Sequence, residues 1–223
     1  MSSTNTPIRI FWADFCENKI AILALLIVFI MLSLAIFAPL FSPQNPYDLA
    51  KLSLLDSRRP PGFVGSAGYT HFLGTDPQGR DLLSAILYGL RISIQIGIAA
   101  GFVSLTIGTA LGIMAAYIGG KTETLIMRLI DLQLSFPAIL LALVIVALLG
   151  QGKAQLIGAL VAAQYAYFAR TAYGAAKAER GKDYIEAAVA TPLQTRLIIL
   201  RHLLPNCMPP LIVVATVQIA NSI

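Results

Sequence analysis

Four long stretches of this chain lack any charged side chain: Ile20 to Phe41, Ile92 to Gly120, Leu132 to Gly150 and Ala154 to Phe168. A fifth apolar stretch runs from Cys207 to Ile223. A helix needs about 20 apolar residues to cross the hydrocarbon core of a bilayer. The first two runs meet that length, the third is adequate, the fourth needs its flanks and the fifth is short. A buried core helix explains one such run but not four or five in one small chain. The pattern therefore predicts an all-α, multi-span integral membrane protein. Residues 1–19 read as a cytoplasmic interfacial segment, 20–41 as the first span, 42–91 as an external segment and 92–223 as the main membrane domain. The first run reads as a permanent anchor rather than a leader peptide. The stretch IRIFWADFCENK before it mixes charges, and no small-residue cleavage site follows Phe41. Ile8, Phe11, Trp12 and Phe15 recur at helical spacing and predict a helix lying on the membrane surface.

Composition agrees with that reading. Only 12% of residues are charged, against about a quarter in a soluble chain. With the N-terminus in the cytoplasm, Arg9, Lys19, Lys121, Arg128, Arg170, Lys177, Arg180, Lys182, Arg196 and Arg201 fall on the cytoplasmic side. Lys51, Arg58, Arg59, Arg80, Arg91 and Lys153 fall on the other. Cytoplasmic loops are the richer in Lys and Arg, so the N-terminus is expected inside and residues 42–91 outside. The net charge of +5 follows from this topology and calls for no nucleic-acid partner.

Little in the sequence can carry catalysis. Cys16 and Cys207 are the only cysteines and His71 and His202 stand alone, so neither a metal cluster nor a nucleophile–base pair is visible. No catalytic residue, cofactor or metal is expected. No acid, Lys or Arg falls near the centre of a span, where proton and ion paths place them. Gly120-Lys121-Thr122 resembles the end of a phosphate-binding loop, but the required first glycine is Ala115 and the context is a membrane span, not a strand. It reads as an exit turn, so any ATP that drives this protein is bound by another chain. Gly97, Gly101, Ser104, Gly108 and Gly112 form a smooth face along the second span. That face suits close packing either within the chain or against a second subunit. Arg128 and Asp131, three apart, can pair at the cytoplasmic end of the third span.

One segment between apolar runs stays in water: DYIEAAVATPLQTRLIILRHLLPN, Asp183 to Asn206. Asp183 with Glu186 three residues on makes an Asp version of the capping box, and Thr191-Pro192-Leu193-Gln194 repeats the device with Pro at the first helical position. Two short helices with a break near Thr191 are predicted. In the second, Leu193, Leu197, Leu200 and Leu204 form one stripe, with Gln194, Arg196 and Arg201 off it. Pro205 then ends the element or bends it into the next span. A helix lying on lipid is one reading of this pattern. Glu186-Ala187-Ala188, one acid on a small-residue face, is better suited to a protein groove.

The run E-A-A, an apolar stretch, then R-H-L-L-P-N resembles the cytoplasmic coupling loop of bacterial ABC importer permeases. FLGTDPQGRDLLSAILYGLRIS (Phe72 to Ser93) and AAYIGGKTETLIMRLIDLQLSFPAILLALVIVALLG (Ala115 to Gly150) are similar to the C-type permeases of dipeptide and oligopeptide importers. The resemblance covers nearly the whole chain from Ile20. It implies the type I ABC importer transmembrane fold in the bacterial inner membrane. It also implies a second homologous permease, two ATPase subunits and a periplasmic solute-binding protein as partners. The coupling loop is then expected over about 171–205. Glu186, Ala187, Ala188 and Pro192 would shape the element that docks on the ATPase. Leu193, Leu197 and Leu200 would hold it to the protein or membrane surface, with Arg196 and Pro205 completing the motif. The family's central glycine falls on Pro192, which substitutes one kind of break for another. Peptide is the expected solute, with nickel or glycosidic solutes carried by related systems. About five of an expected six spans are present, so the expectation is a shortened chain that inserts but does not support uptake alone. The alternatives are an energy-independent channel or carrier, which would need no coupling loop, and a non-transporting interaction protein.

Overall fold

A computed structural model describes residues 7–48, 52–150, 152–191 and 194–223, with side chains from Trp12 onward. The chain divides into two compact units, residues 1–94 and 95–223.

In the first unit, α1 (Pro7–Glu17) and α2 (Lys19–Ile36) are separated by Asn18. The Asn18 side-chain oxygen accepts from the N–H groups of Ile20 at 3.0 Å and Ala21 at 3.2 Å, satisfying two of the donors a helix start leaves orphaned. Trp12 and Phe15 of α1 meet edge to face at 5.8 Å; the side chains of Ile8 and Phe11 lie outside the described residues. α2 is apolar on every side and exposes nearly all of its surface. Its 18 residues make about 27 Å of helix, which requires lipid or another protein around it. The helical run predicted to Phe41 breaks at Phe37 and resumes as the short α3 (Ala38–Phe41), with Pro39 in its first turn.

A polar knot precedes α4 (Leu82–Ile118), which begins well before the uncharged run at Ile92. Strands β1 (Phe63–Val64) and β2 (Thr70–His71) pair antiparallel. The buried Asp81 carboxylate faces His71 Nδ1 at 3.0 Å and accepts from the Ser84 N–H and hydroxyl, each at 2.7 Å. Its own N–H donates to Gln44 Oε1 at 2.9 Å. Asp56 accepts from the Ser66 hydroxyl and N–H at 2.7 and 2.9 Å. The Ser66 hydroxyl, above all, holds the Asp56 carboxyl below its ordinary pKa. A Cβ on Gly65 would come within 2.5 Å of His71 Nε2, so only glycine lets the turn close over that ring.

The second unit contains the rest of α4, then α5 (Gly120–Leu134), α6 (Ala138–Leu149), α7 (Lys153–Arg180), α8 (Asp183–Ala190), α9 (Thr195–Ile198) and α10 (Leu204–Asn221). α5 and α6 meet at 89°. Pro137 cannot continue a helix and disfavours helical backbone at Phe136. The predicted single span Leu132 to Gly150 is thus bent, and α6 alone, 12 residues, is about 18 Å long. Among the described residues, three helical runs are individually long and apolar enough to cross a membrane: Lys19–Ile36, Leu82–Ile118 and Thr195–Asn221; counting the bent pair makes four. α7, less apolar, has 28 residues, or about 42 Å.

Small residues bring these helices together. α7 buries Ala159, Ala163, Ala166, Ala169, Ala172 and Ala176, and the glycine face of α4 lies against it and against α10. A Cβ added to Gly108 would lie 2.6 Å from Phe168 Cβ, and one on Gly112 2.7 Å from Ala172 Cβ. On the α10 side, Gly101 would meet Ile219 Cγ1 at 2.6 Å and Gly97 would meet Ile223 Cγ1 at 3.1 Å. Ser104 between them is fully buried. In this unit the face that could have served a second subunit is occupied by the chain's own helices. Ile113, Phe168, Leu203, Cys207 and Leu211 complete the core. Asp131 does not pair with Arg128 within α5. It reaches across to Arg170 of α7 at 2.5 Å, because α7 packs along that side of α5.

Candidate functional site

The segment after α7 forms a short helix held by its rear face. Lys182 O accepts the first helical N–H groups, from Ile185 at 2.9 Å and Glu186 at 3.2 Å. Asp183 is therefore the first helical residue rather than the cap, and its charge acts on the helix dipole instead. Ile185 is buried and pins α8 down, while Glu186 and Ala187 are exposed and Ala188 is half-buried. Val189, 57% exposed, continues the outward face. α8 thus offers water a surface of small apolar side chains with two acids, Asp183 and Glu186, in its first turn.

The start of this helix is tethered. The Tyr184 hydroxyl donates to Glu179 at 2.5 Å and accepts from Asn206 Nδ2 at 3.1 Å. Lys182 Nζ reaches the other Glu179 oxygen at 2.5 Å. These bonds tie the end of α7, the start of α8 and the start of α10 into one cluster. Lys182, then Tyr184, lower the Glu179 pKa below its ordinary value. The bond to Glu179 pushes the Tyr184 phenol up to about 12. Nearby, Arg180 donates to Ala116 O of α4 at 2.7 Å, and Lys177 and Tyr173 both bond Glu123 of α5.

The predicted second capping box does not form as expected. The Thr191 hydroxyl donates backwards to Ala188 O at 2.7 Å, closing α8. α9 opens later, after Gln194, which makes no side-chain cap. Pro192 and Leu193 lie outside the described residues. Beyond α9 the helix widens into a π turn, Ile199–Leu203, and continues without interruption into α10. Pro205 therefore neither ends the element nor separates it from the span. It has no N–H for a carbonyl one turn back, and the widened turn, where Leu204 N–H reaches Ile199 O, lets the chain pass. The extra residue also moves the inward face. Ile198, Leu203, Cys207 and Leu211 are buried, while Leu197 and Leu200 are 43% and 49% exposed. Of the leucine stripe read from a uniform helical period, Leu197 and Leu200 face outward while Leu204 packs half-buried against the core, and Arg196 and Pro205 are exposed.

Residues 108–223 match the family described as binding-protein-dependent transport system inner membrane component, and residues 6–61 match the N-terminal TM domain of oligopeptide transport permease C. The chain belongs to this family of permeases. It is 35% identical to the di/tripeptide transport system permease protein of Pseudomonas aeruginosa over 98% of this chain and 71% of that protein. Identity to the dipeptide transport system permease protein of Escherichia coli (strain K12) is 36%, over 98% of this chain and 72% of that one. The glutathione transport system permease protein of Pectobacterium atrosepticum is 34% identical, over 99% of this chain and 71% of its own length. With its apolar helices, the permease is a multi-pass, all-α membrane protein.

Proposed function

We infer that this permease is a membrane subunit of an ATP-driven importer of di- or oligopeptides, and that α8 is where partner ATPases act on it. The carrying observation is an exposed Glu186-Ala187 face on a helix whose other contacts lock it to α7 and α10. A push on α8 cannot be absorbed locally, because Tyr184, Glu179 and Asn206 join it to both helices. Closure of the ATPases on ATP binding would then reach α7 and α10 as a rigid displacement and turn the pathway from one face of the membrane to the other. The peptide substrate is inferred from the relatives' names. A second permease, two ATPases and an external binding protein complete the assembly. The permease itself hydrolyses nothing. The N-terminus is cytoplasmic in this reading, on the count of Lys and Arg by side, which puts α8 on the ATPase side.

The test is Ala187→Asp in the assembled transporter. A second carboxylate beside Glu186 should block seating in the ATPase groove, uncoupling ATP hydrolysis from uptake while membrane insertion is unchanged. Cysteines at 187 or 188 should crosslink to the ATPase subunit; an adequate scan without crosslinks would remove the coupling role. Orientation is checked on the exposed Cys16, which an impermeant maleimide should label only in inside-out vesicles.

A further inference from the structure

A cavity of about 660 Å³ opens between α6, α7 and the end of α10, walled by apolar side chains such as Leu143 and Leu160. Its polar positions are Gln164 and Tyr167 of α7 and Gln218 and Asn221 of α10. Gln164 lies between Lys153 and Arg170, about 17 Å of helix from the first and 9 Å from the second. It therefore sits inside the hydrocarbon layer if those cations mark the layer's limits.

The Gln164 amide is 4% exposed and only half satisfied. The Ser222 hydroxyl gives its hydrogen to Gln218 O at 2.8 Å, so its oxygen accepts from Gln164 Nε2 at 2.6 Å. That arrangement fixes which way the amide points. Gln164 Oε1 is then left buried with no partner among the described residues. An orphaned acceptor at this depth costs free energy, and a ligand N–H would recover it. A structural clamp between α7 and α10 needs only the Nε2 side of this amide.

We propose that this cavity is a peptide subsite within the membrane, in which Gln164 Oε1 accepts a main-chain N–H and neighbouring neutral groups pair with main-chain carbonyls. The proposal rests on the importer reading above. No charged side chain among the described residues lines the cavity, which disfavours ions and phosphates. A peptide bond supplies one donor and one acceptor at each residue, matching a site built from amides and a phenol. Apolar walls accept varied side chains without selecting among them, so recognition here is of the main chain. The volume lies within the usual range for small-ligand sites, roughly 300–1,000 Å³.

The test uses the complete transporter in proteoliposomes with tritiated tri-alanine. Benzoylphenylalanine at position 143 should form a peptide adduct during turnover, competed by unlabelled tri-alanine. The same probe at Phe102, exposed elsewhere on α4, should not. Gln164→Leu should reduce uptake by about 2- to 12-fold, the factor carried by one net hydrogen bond. A second comparison separates contact from packing. N-methylation of one tri-alanine peptide bond should lower uptake by the unaltered transporter and cause a smaller further loss in Gln164→Leu, since both changes remove the same bond; the binding protein's own preference cancels. Uptake with no competed adduct at 143, or equal methylation penalties in the two proteins, overturns the subsite alone. Failure of the unaltered transporter to accumulate any of a panel of di- and tripeptides overturns the importer reading and the subsite with it.

Discussion

Adding one methyl group at Gly112 tests how α4 and α7 are held together. The new Cβ would lie 2.7 Å from Ala172 Cβ and 2.8 Å from Tyr173 N, whereas carbon atoms rest at about 3.5–4.0 Å. The helices must therefore part by about 1 Å. Ala172 belongs to the central cluster with Phe168 and Cys207, so the separation cannot be confined to one turn. Overpacking of this kind costs about 1–3 kcal/mol. Alanine also improves helix propensity, by up to about 1 kcal/mol, and the control must share that gain. Gly174 supplies it, being a helical glycine of α7 with nothing within 4 Å of an added Cβ. The difference between Gly112→Ala and Gly174→Ala then isolates the steric cost. At about 2–4 °C per kcal/mol for a chain of this size, the two midpoints should differ by about 2–12 °C. The permease carries its own reporter for the assay. Cys207 is buried and Cys16 exposed, so in a Cys16→Ser background a fluorogenic thiol dye reads core opening during heating in detergent. A Gly112→Ala midpoint equal to or above that of Gly174→Ala would refute close helix approach as the basis of this core.

The clamp on α8 has a defined pH window. Glu179 has a folded pKa below its ordinary 4.5, so its contribution is present above that value and lost as pH falls through the folded pKa. Tyr184, raised from 10.0 to about 12, contributes fully below 10 and loses its bond as pH rises through 12. A nitroxide at position 187 should accordingly keep constant mobility between about pH 4.5 and 10, and Tyr184→Phe should raise that mobility throughout the window. In the polar knot before α4, Asp81→Ala leaves the buried His71 ring and the Ser84 N–H and hydroxyl without their shared partner, a loss of about 1–3 kcal/mol. Trypsin should then cut rapidly at Arg58 or Arg59, with α10 still protected.

What the sequence disclosed and what it hid follow from which physical signal each feature leaves. A run without charges announces apolar surroundings whatever its backbone does. Ile92 to Gly120 and Cys207 to Ile223 therefore located α4 and α10 correctly in outline. The same insensitivity concealed the bend at Pro137, because no charge marks the corner between α5 and α6. The local signal was Ser135-Phe136-Pro137 itself, a turn residue and a proline inside an otherwise helical run. The glycine face was legible as a place of close approach, but its partner was not. Periodicity shows that a helix has a smooth side, and only the fold shows that α7 supplies an alanine side to match it.

The segment from Asp183 to Asn206 gives the sharper lesson, because residue spacing alone misplaces its inward face. A uniform period of 3.6 selected Leu193, Leu197, Leu200 and Leu204. The buried positions instead step by five residues from Ile198 to Leu203, then by four to Cys207 and to Leu211. The five-residue step is the π turn, and it falls immediately before Pro205, where one N–H is missing from the ladder. Its consequence is mechanical. Without it, Pro205 would favour a kink or a stop between the water-exposed segment and the span. With it, the helix runs from Thr195 to Asn221 as one body. Asn206, in the first turn past the π turn, can then bond both His202 O, at 2.7 Å, and Tyr184, at 3.1 Å. The two halves of the motif, separated by the segment containing Pro192, thereby meet in space. Residues that look in sequence like two short helices thus lead into one continuous helix whose far end, at Gln218 and Asn221, borders the cavity at Gln164.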